Sequence, residues 1–160
     1  MRPILVAVSL SLSTSIAVAQ GAPSQAAQHA VIVTPDQVTW APAPPAFPAG
    51  AKAAVLEGDP KEAGPFTMRV SFPDGYRIAP HFHPADERVT VIKGTVQLGM
   101  GDKFDASALN TLPAGSYVSM KPGTHHFAQA KGNTIVQING IGPWKLTYVN
   151  PADDPRKGTQ

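Results

Sequence analysis

Five histidines occur in the 160 residues, and four of them fall in two short stretches. The first stretch runs His81-Phe82-His83-Pro84-Ala85-Asp86-Glu87. On an extended strand, residues two apart share a face. His81 and His83 then point the same way, Pro84 ends the strand, and Glu87 returns beside them across a short turn. Two imidazoles and a carboxylate converging in this way suit a divalent transition metal. Spacing alone fits a surface histidine pair beside a solvated acid equally well. The second stretch is Lys121-Pro122-Gly123-Thr124-His125-His126-Phe127. A turn at Pro122-Gly123 sends the chain back into a strand, and an imidazole from that strand could complete the site. Neighbours on a strand face opposite sides, so only one of His125 and His126 can join.

The elements that must carry these residues are short strands. Phe66, Met68, Val70 and Phe72 alternate with Thr67, Arg69 and Ser71, a period of two that marks a half-buried strand. Pro73-Asp74-Gly75 is a turn. Further strands are expected over Tyr76–His83, Arg88–Ile92, Thr95–Met100, Ser116–Met120, His126–Gln129, Thr134–Ile138 and Leu146–Val149. Turn residues separate most of them, among them Lys93-Gly94, Pro113-Ala114-Gly115 and Gly132-Asn133. No segment keeps a helical period, and Ala51–Glu57 comes nearest to one. Gly and Pro together supply 31 residues, which adds turns. Closely spaced short strands of this kind predict an all-β sandwich or barrel.

Composition narrows the chemistry. A net charge of +2 with no Lys/Arg cluster argues against a nucleic-acid partner. The absence of cysteine excludes a disulfide framework, a Cys-ligated zinc site and thiol catalysis. The N-terminus reads as a secretory signal peptide over residues 1–19. Arg2 gives the charge, Ile4 to Val18 is apolar but broken by serines, and Ala17-Val18-Ala19 precedes Gln20. The apolar stretch falls short of the roughly 20 residues a membrane span needs. A cleaved leader and a periplasmic or secreted protein without a stable membrane anchor are therefore expected. Residues 20–50 form a flexible leader and a proline-rich arm, APAPPAFPAG, expected to pack on the domain through Trp40 and Phe47. Residues 51–150 form the barrel and 151–160 a polar tail.

The first histidine stretch resembles the first motif of the cupin family, G-x5-H-x-H-x3-E-x6-G. Gly75, His81, His83, Glu87 and Gly94 fill every fixed position without a gap. The second stretch resembles the second motif, G-x5-P-x-G-x2-H-x3-N. Gly115, Gly123 and His126 fit, whereas Lys121 stands at the proline position and Ala130 at the asparagine position. The resemblance implies a cupin, a double-stranded β-helix or jelly-roll barrel, here with an N-terminal proline-rich arm. It implies that His81, His83, Glu87 and His126 hold one divalent transition metal ion: Fe, Mn, Ni, Cu or Zn. His125 and Phe127 then face away from the barrel, and Asp86 faces solvent. Tyr76, Arg77 and Gln137 read as structural residues near the mouth, and His29 as part of the leader.

Cupins include dioxygenases, isomerases, decarboxylases and storage or sensing proteins, and fold does not choose among them. The leading expectation is a small metal-dependent enzyme, such as a dioxygenase acting on a small organic molecule. The competing one is a non-catalytic periplasmic cupin that binds a metal or small ligand. The resemblance also implies a homodimer. Exposed strand edges need cover, and the arm around Phe47 is a candidate to supply it.

Overall fold

A computed structural model describes residues 30–157. The expected signal peptide and most of the leader, residues 1–29, lie outside the described residues. Among the described residues there is no α-helix, only short 3-10 turns such as Pro35–Gln37 and Pro151–Asp153. No helix among them is long and apolar enough to cross a membrane.

Nine strands are present among the described residues. They are β1 (Ala41–Pro42), β2 (Lys52–Glu57), β3 (Gly64–Phe72), β4 (Arg77–Phe82), β5 (Glu87–Met100), β6 (Asn110–Pro113), β7 (Tyr117–Met120), β8 (His126–Gly142) and β9 (Thr147–Tyr148). All pairings are antiparallel. The path runs β1-β2-β3-β8-β4-β9, while β5 pairs with β6, β7 and β8. The sheet curls into the barrel expected of a cupin, and its core is the barrel interior, built from residues such as Val70, Val91 and Val136. In β3 the alternation of Phe66, Met68, Val70 and Phe72 becomes an alternation of buried side chains.

Three readings of the sequence need correction. Arg88–Ile92 and Thr95–Met100 are one strand, and so are His126–Gln129 and Thr134–Ile138. Lys93-Gly94 is a bulge in β5, not a reversal, for the register against β8 slips on both sides of Lys93. Gly94 has φ +75, and a Cβ there would stand 2.6 Å from the Asn133 carbonyl oxygen. Thr134 stabilises this bend from the other strand. Its hydroxyl donates to the Thr95 carbonyl at 3.1 Å and accepts from the Thr95 N–H at 3.2 Å. Ala51–Glu57, the nearest approach to a helical pattern, forms strand β2 against β3. Pairing with a formed edge outweighs the helix preference of three alanines and a leucine. The strand Asn110–Pro113 was not anticipated, because a short polar segment carries no alternation.

The proline-rich arm packs on the barrel. β1 pairs with β2, and the connection between them buries Phe47 in the core of its own chain. Trp40 is half-buried.

Candidate metal centre

His81 is the last residue but one of β4, His126 opens β8, and the two are register partners across the β4–β8 ladder. Glu87 opens β5, opposite Met120 of β7 and Gly140 of β8. His83 lies just past β4, where its carbonyl accepts from the Gly123 N–H at 2.9 Å. That bond ties the two histidine-bearing segments together. The four side chains meet inside the barrel, and the four residues are 3–5% exposed. A ligating nitrogen from each of His81, His83 and His126 lies within 4.8 Å of the others. The Glu87 Oε2 is 3.3 Å from Nε2 of both His83 and His126.

The protonation pattern follows from the backbone. Nδ1 of His81 bonds the Ala79 carbonyl at 2.8 Å, Nδ1 of His83 the Lys145 carbonyl at 2.9 Å, and Nδ1 of His126 the Thr124 carbonyl at 3.0 Å. A carbonyl accepts, so each Nδ1 carries the proton and each Nε2 keeps a lone pair. Burial holds the His81 imidazole well below its ordinary pKa, and the neighbouring His126 and His83 push it further down. Burial also lowers His83, opposed by Glu87 and by the Lys145 carbonyl. Lone pairs of Nε2 therefore face the lone pairs of a carboxylate in a water-poor site. His83 Nε2 and Glu87 Oε2 are both buried without a hydrogen-bond partner. Acceptors turned on one another call for a cation between them. The residues present thus fit a metal ion, and the three histidines can hold one. Nδ1 bonds to carbonyls are also the usual outer support that orients metal-binding imidazoles.

The cluster opens into a cavity inside the barrel. Its walls are apolar, with Val91, Leu98, Val136, Leu146, Phe47 and Trp144 among them. Trp144 stacks on His83, with ring centroids 4.2 Å apart and planes 13° from parallel. Its indole N–H is buried without a partner.

The family model described as "Domain of unknown function (DUF4437)" matches residues 31–154. The chain belongs to this DUF4437 family. None of the curated proteins matches it. Among solved structures, a Methylibium petroleiphilum protein provisionally assigned as an acetylacetone dioxygenase is 26% identical, with TM-score 0.61 over 82% of this chain and 88% of that one. An acetylacetone dioxygenase from Acinetobacter johnsonii is 21% identical, with TM-score 0.60 over 81% and 83% of the two chains. An RmlC-like cupin from Shewanella frigidimarina is 17% identical, with TM-score 0.55 over 71% and 92%. The DUF4437 chain is thus a small single-domain cupin.

In this DUF4437 cupin the residues outside the cluster also have defined places. His125 lies on the outer face, where its Nδ1 meets Asp102 Oδ1 at 2.6 Å and its ring stacks on Phe82. Phe127 points away from the cavity but is not exposed. It is fully buried, packed against Phe104 on the outer side of the sheet. The loop carrying Phe104 covers that outer face, which alternation along β8 alone does not reveal. Asp86 is not free in solvent either. It pairs with Arg88 at 3.0 Å and Lys121 at 3.5 Å and is partly buried. Tyr76, Arg77 and Gln137 bond to Pro48, Gln129 and Arg69, as structural residues do. Trp144 was missed by sequence reasoning. The break at Gly140, Gly142 and Pro143 marks a turn after β8 but not which way the following indole faces.

Proposed function

We propose that the chain is a metal-dependent dioxygenase that acts on a small, mostly apolar molecule bearing oxygen donors, such as a 1,3-diketone. In this reading His81, His83, Glu87 and His126 hold one divalent transition metal ion. The observation that carries it is the contrast within the cavity. Apart from those four residues, the described lining offers one polar group able to donate, the Trp144 indole N–H. A ligand held there meets apolar walls everywhere except at the ion. A charged tail would find no counter-charge among the described lining residues, and burying it unpaired is costly. The 26%-identical Methylibium protein supports the diketone class.

A bound redox-active ion would supply Lewis acidity and oxygen activation. The protein's own residues do the rest. Three backbone carbonyls fix the imidazole tautomers. Glu87 brings a negative charge that offsets the ion's, and the apolar walls exclude water and press the ligand toward the cluster. Export and pairing as a homodimer belong to the same proposal. They rest on the N-terminal pattern around Ala17-Val18-Ala19 and on the likeness to cupins.

The test is oxygen uptake by iron-loaded protein with a panel of 1,3-diketones and catechols, after metal analysis of protein purified without chelator. Uptake matched one-to-one by substrate loss is expected for at least one diketone. Loaded protein that consumes oxygen with none of them rejects the enzyme reading. A non-catalytic cupin that binds metal and a small ligand is the second reading. It is favoured by the lack of any acid or base in the described lining beyond the four cluster residues.

A further inference from the structure

One wall of the cavity comes from outside the curled sheet. The connection between β1 and β2 leaves the sheet at Ala43 and returns at Ala51. Its base is closed by a bond from the Ala43 N–H to the Ala51 carbonyl at 3.0 Å, and its tip by a turn from the Phe47 N–H to the Pro44 carbonyl at 2.9 Å. Pro44, Pro45 and Pro48 fix φ at three positions, which leaves this short loop little freedom to lose on folding. Phe47, at its tip, is 7% exposed and lines the same cavity as the three histidines.

Two buried tyrosines hold the loop on either side of that ring. The Tyr148 hydroxyl, from β9, donates to the Ala46 carbonyl at 2.8 Å. The Tyr76 hydroxyl, from the segment before β4, donates to the Pro48 carbonyl at 2.5 Å. The carbonyls just before and just after Phe47 are therefore both fixed. A core phenylalanine needs only apolar neighbours. This one is placed by a closed loop, three prolines and two directional bonds.

We propose that Phe47 is a specificity-determining residue, a stop that limits the size of ligand the cavity accepts, with Tyr76 and Tyr148 as its positioning residues. The inference rests on the reading that the cavity takes a small organic molecule. A ring held this firmly gives a fixed boundary: short ligands fit beside it and longer ones meet it. Removing it opens room in the cavity that the cluster shares without altering a metal-binding side chain.

The experiment compares wild type, Phe47→Ala and Phe47→Leu, the last kept in case the alanine variant folds poorly. Zinc-loaded protein, which avoids turnover, is titrated calorimetrically with 2,4-pentanedione, 3,5-heptanedione and 4,6-nonanedione. Wild type should favour the shortest, and Phe47→Ala should improve the ratio of long to short by about tenfold or more, on the scale at which an added methylene is discriminated. Tyr76→Phe should move the same ratio in the same direction with its metal content unchanged. Loss of core packing alone lowers the melting temperature but does not reorder ligands by length. Crystals of both proteins under xenon give an arm independent of diketones. A xenon site in the space vacated by the ring is expected in Phe47→Ala and absent in wild type. If no diketone binds either protein, the substrate class is wrong and the xenon result decides the role of Phe47. An unchanged length ratio, or no xenon site beside Ala at 47, overturns the proposal.

Discussion

Two carboxylate–imidazole pairs stand side by side where the chain enters β8 and differ in almost everything but their groups. His125 meets Asp102 on the outer face at 2.6 Å, in a pair 36% and 69% exposed. His126 meets Glu87 inside the barrel at 3.3 Å, in a pair 4% and 7% exposed. Outside, Nδ1 itself faces the carboxylate, and a proton on it completes an ordinary hydrogen bond. Inside, Nδ1 is committed to a backbone carbonyl, and Nε2 turns a lone pair toward the acid. The outer pair is complete as it stands, whereas the inner pair leaves room for a cation between its members. Chemistry in this chain is therefore decided less by which residues meet than by where their other atoms are already bound.

The largest expected break in this comparison comes from exchanging the two histidines' fates. His126→Ala should lose most bound metal, read by elemental analysis of the purified protein. His125→Ala should keep it, with a melting temperature near that of wild type. Metal retained in the first and lost in the second would reverse the assignment of inner and outer faces.

Glu87→Gln should have effects of opposite sign. An amide keeps the shape, loses the charge and can donate toward Nε2 of His83 or His126. Metal affinity should fall by more than the roughly 10- to 100-fold that loss of an outer-shell partner costs. The metal-free protein should melt higher, because a buried carboxylate without a partner has been removed. A metal-free variant that melts lower than wild type would show that the carboxylate is already satisfied.

A smaller effect follows from acid. His81 and His83 have pKa values lowered by burial in the folded protein. In the unfolded chain histidine titrates near 6.5, so the unfolded state takes up protons first as pH falls. Stability of the metal-free protein should be fully present above about pH 6.5 and decline below it, toward the lowered folded values. Urea unfolding of metal-free protein from pH 8 to 5 measures this. A flat profile in that window would contradict the lowering of the His81 and His83 pKa values by burial. The smallest effect belongs to the outer pair. Asp102→Asn should change stability by no more than about 1 kcal/mol, the usual range for an exposed ion pair, with metal content unaltered.

Much of this comparison was legible in the sequence. The spacing of His81, His83 and Glu87 and the register from Gly123 to His126 name three histidines that come together and a glutamate that lies beside two of them. Strand alternation also separates His125 from His126. What the sequence hid lies in the contacts of third parties. The alternation that sends Phe127 outward is sound, yet the Phe104 loop covers it. Lys93-Gly94 has turn composition, but a glycine with positive φ serves a bulge as well as a reversal, and β5 runs on. Trp144 has no periodicity to betray it, and Phe47 sits in a proline-rich run that reads as an arm without saying what its tip touches.

Strand β8 pairs with β3, β4 and β5, so three separate parts of the chain depend on it. This has a consequence in time. Nearly all of those contacts are distant in sequence, and such topologies fold slowly because loop closure must come before pairing. A chain still emerging from the ribosome, ended before His126, carries two of the three imidazoles and the carboxylate with no ladder to hold them together. Its donors can be met by any passing ion and held by none. In the metal-binding reading proposed above, the complete ligand set exists only once the segment from His126 onward has docked, which makes loading a late event in the life of each molecule.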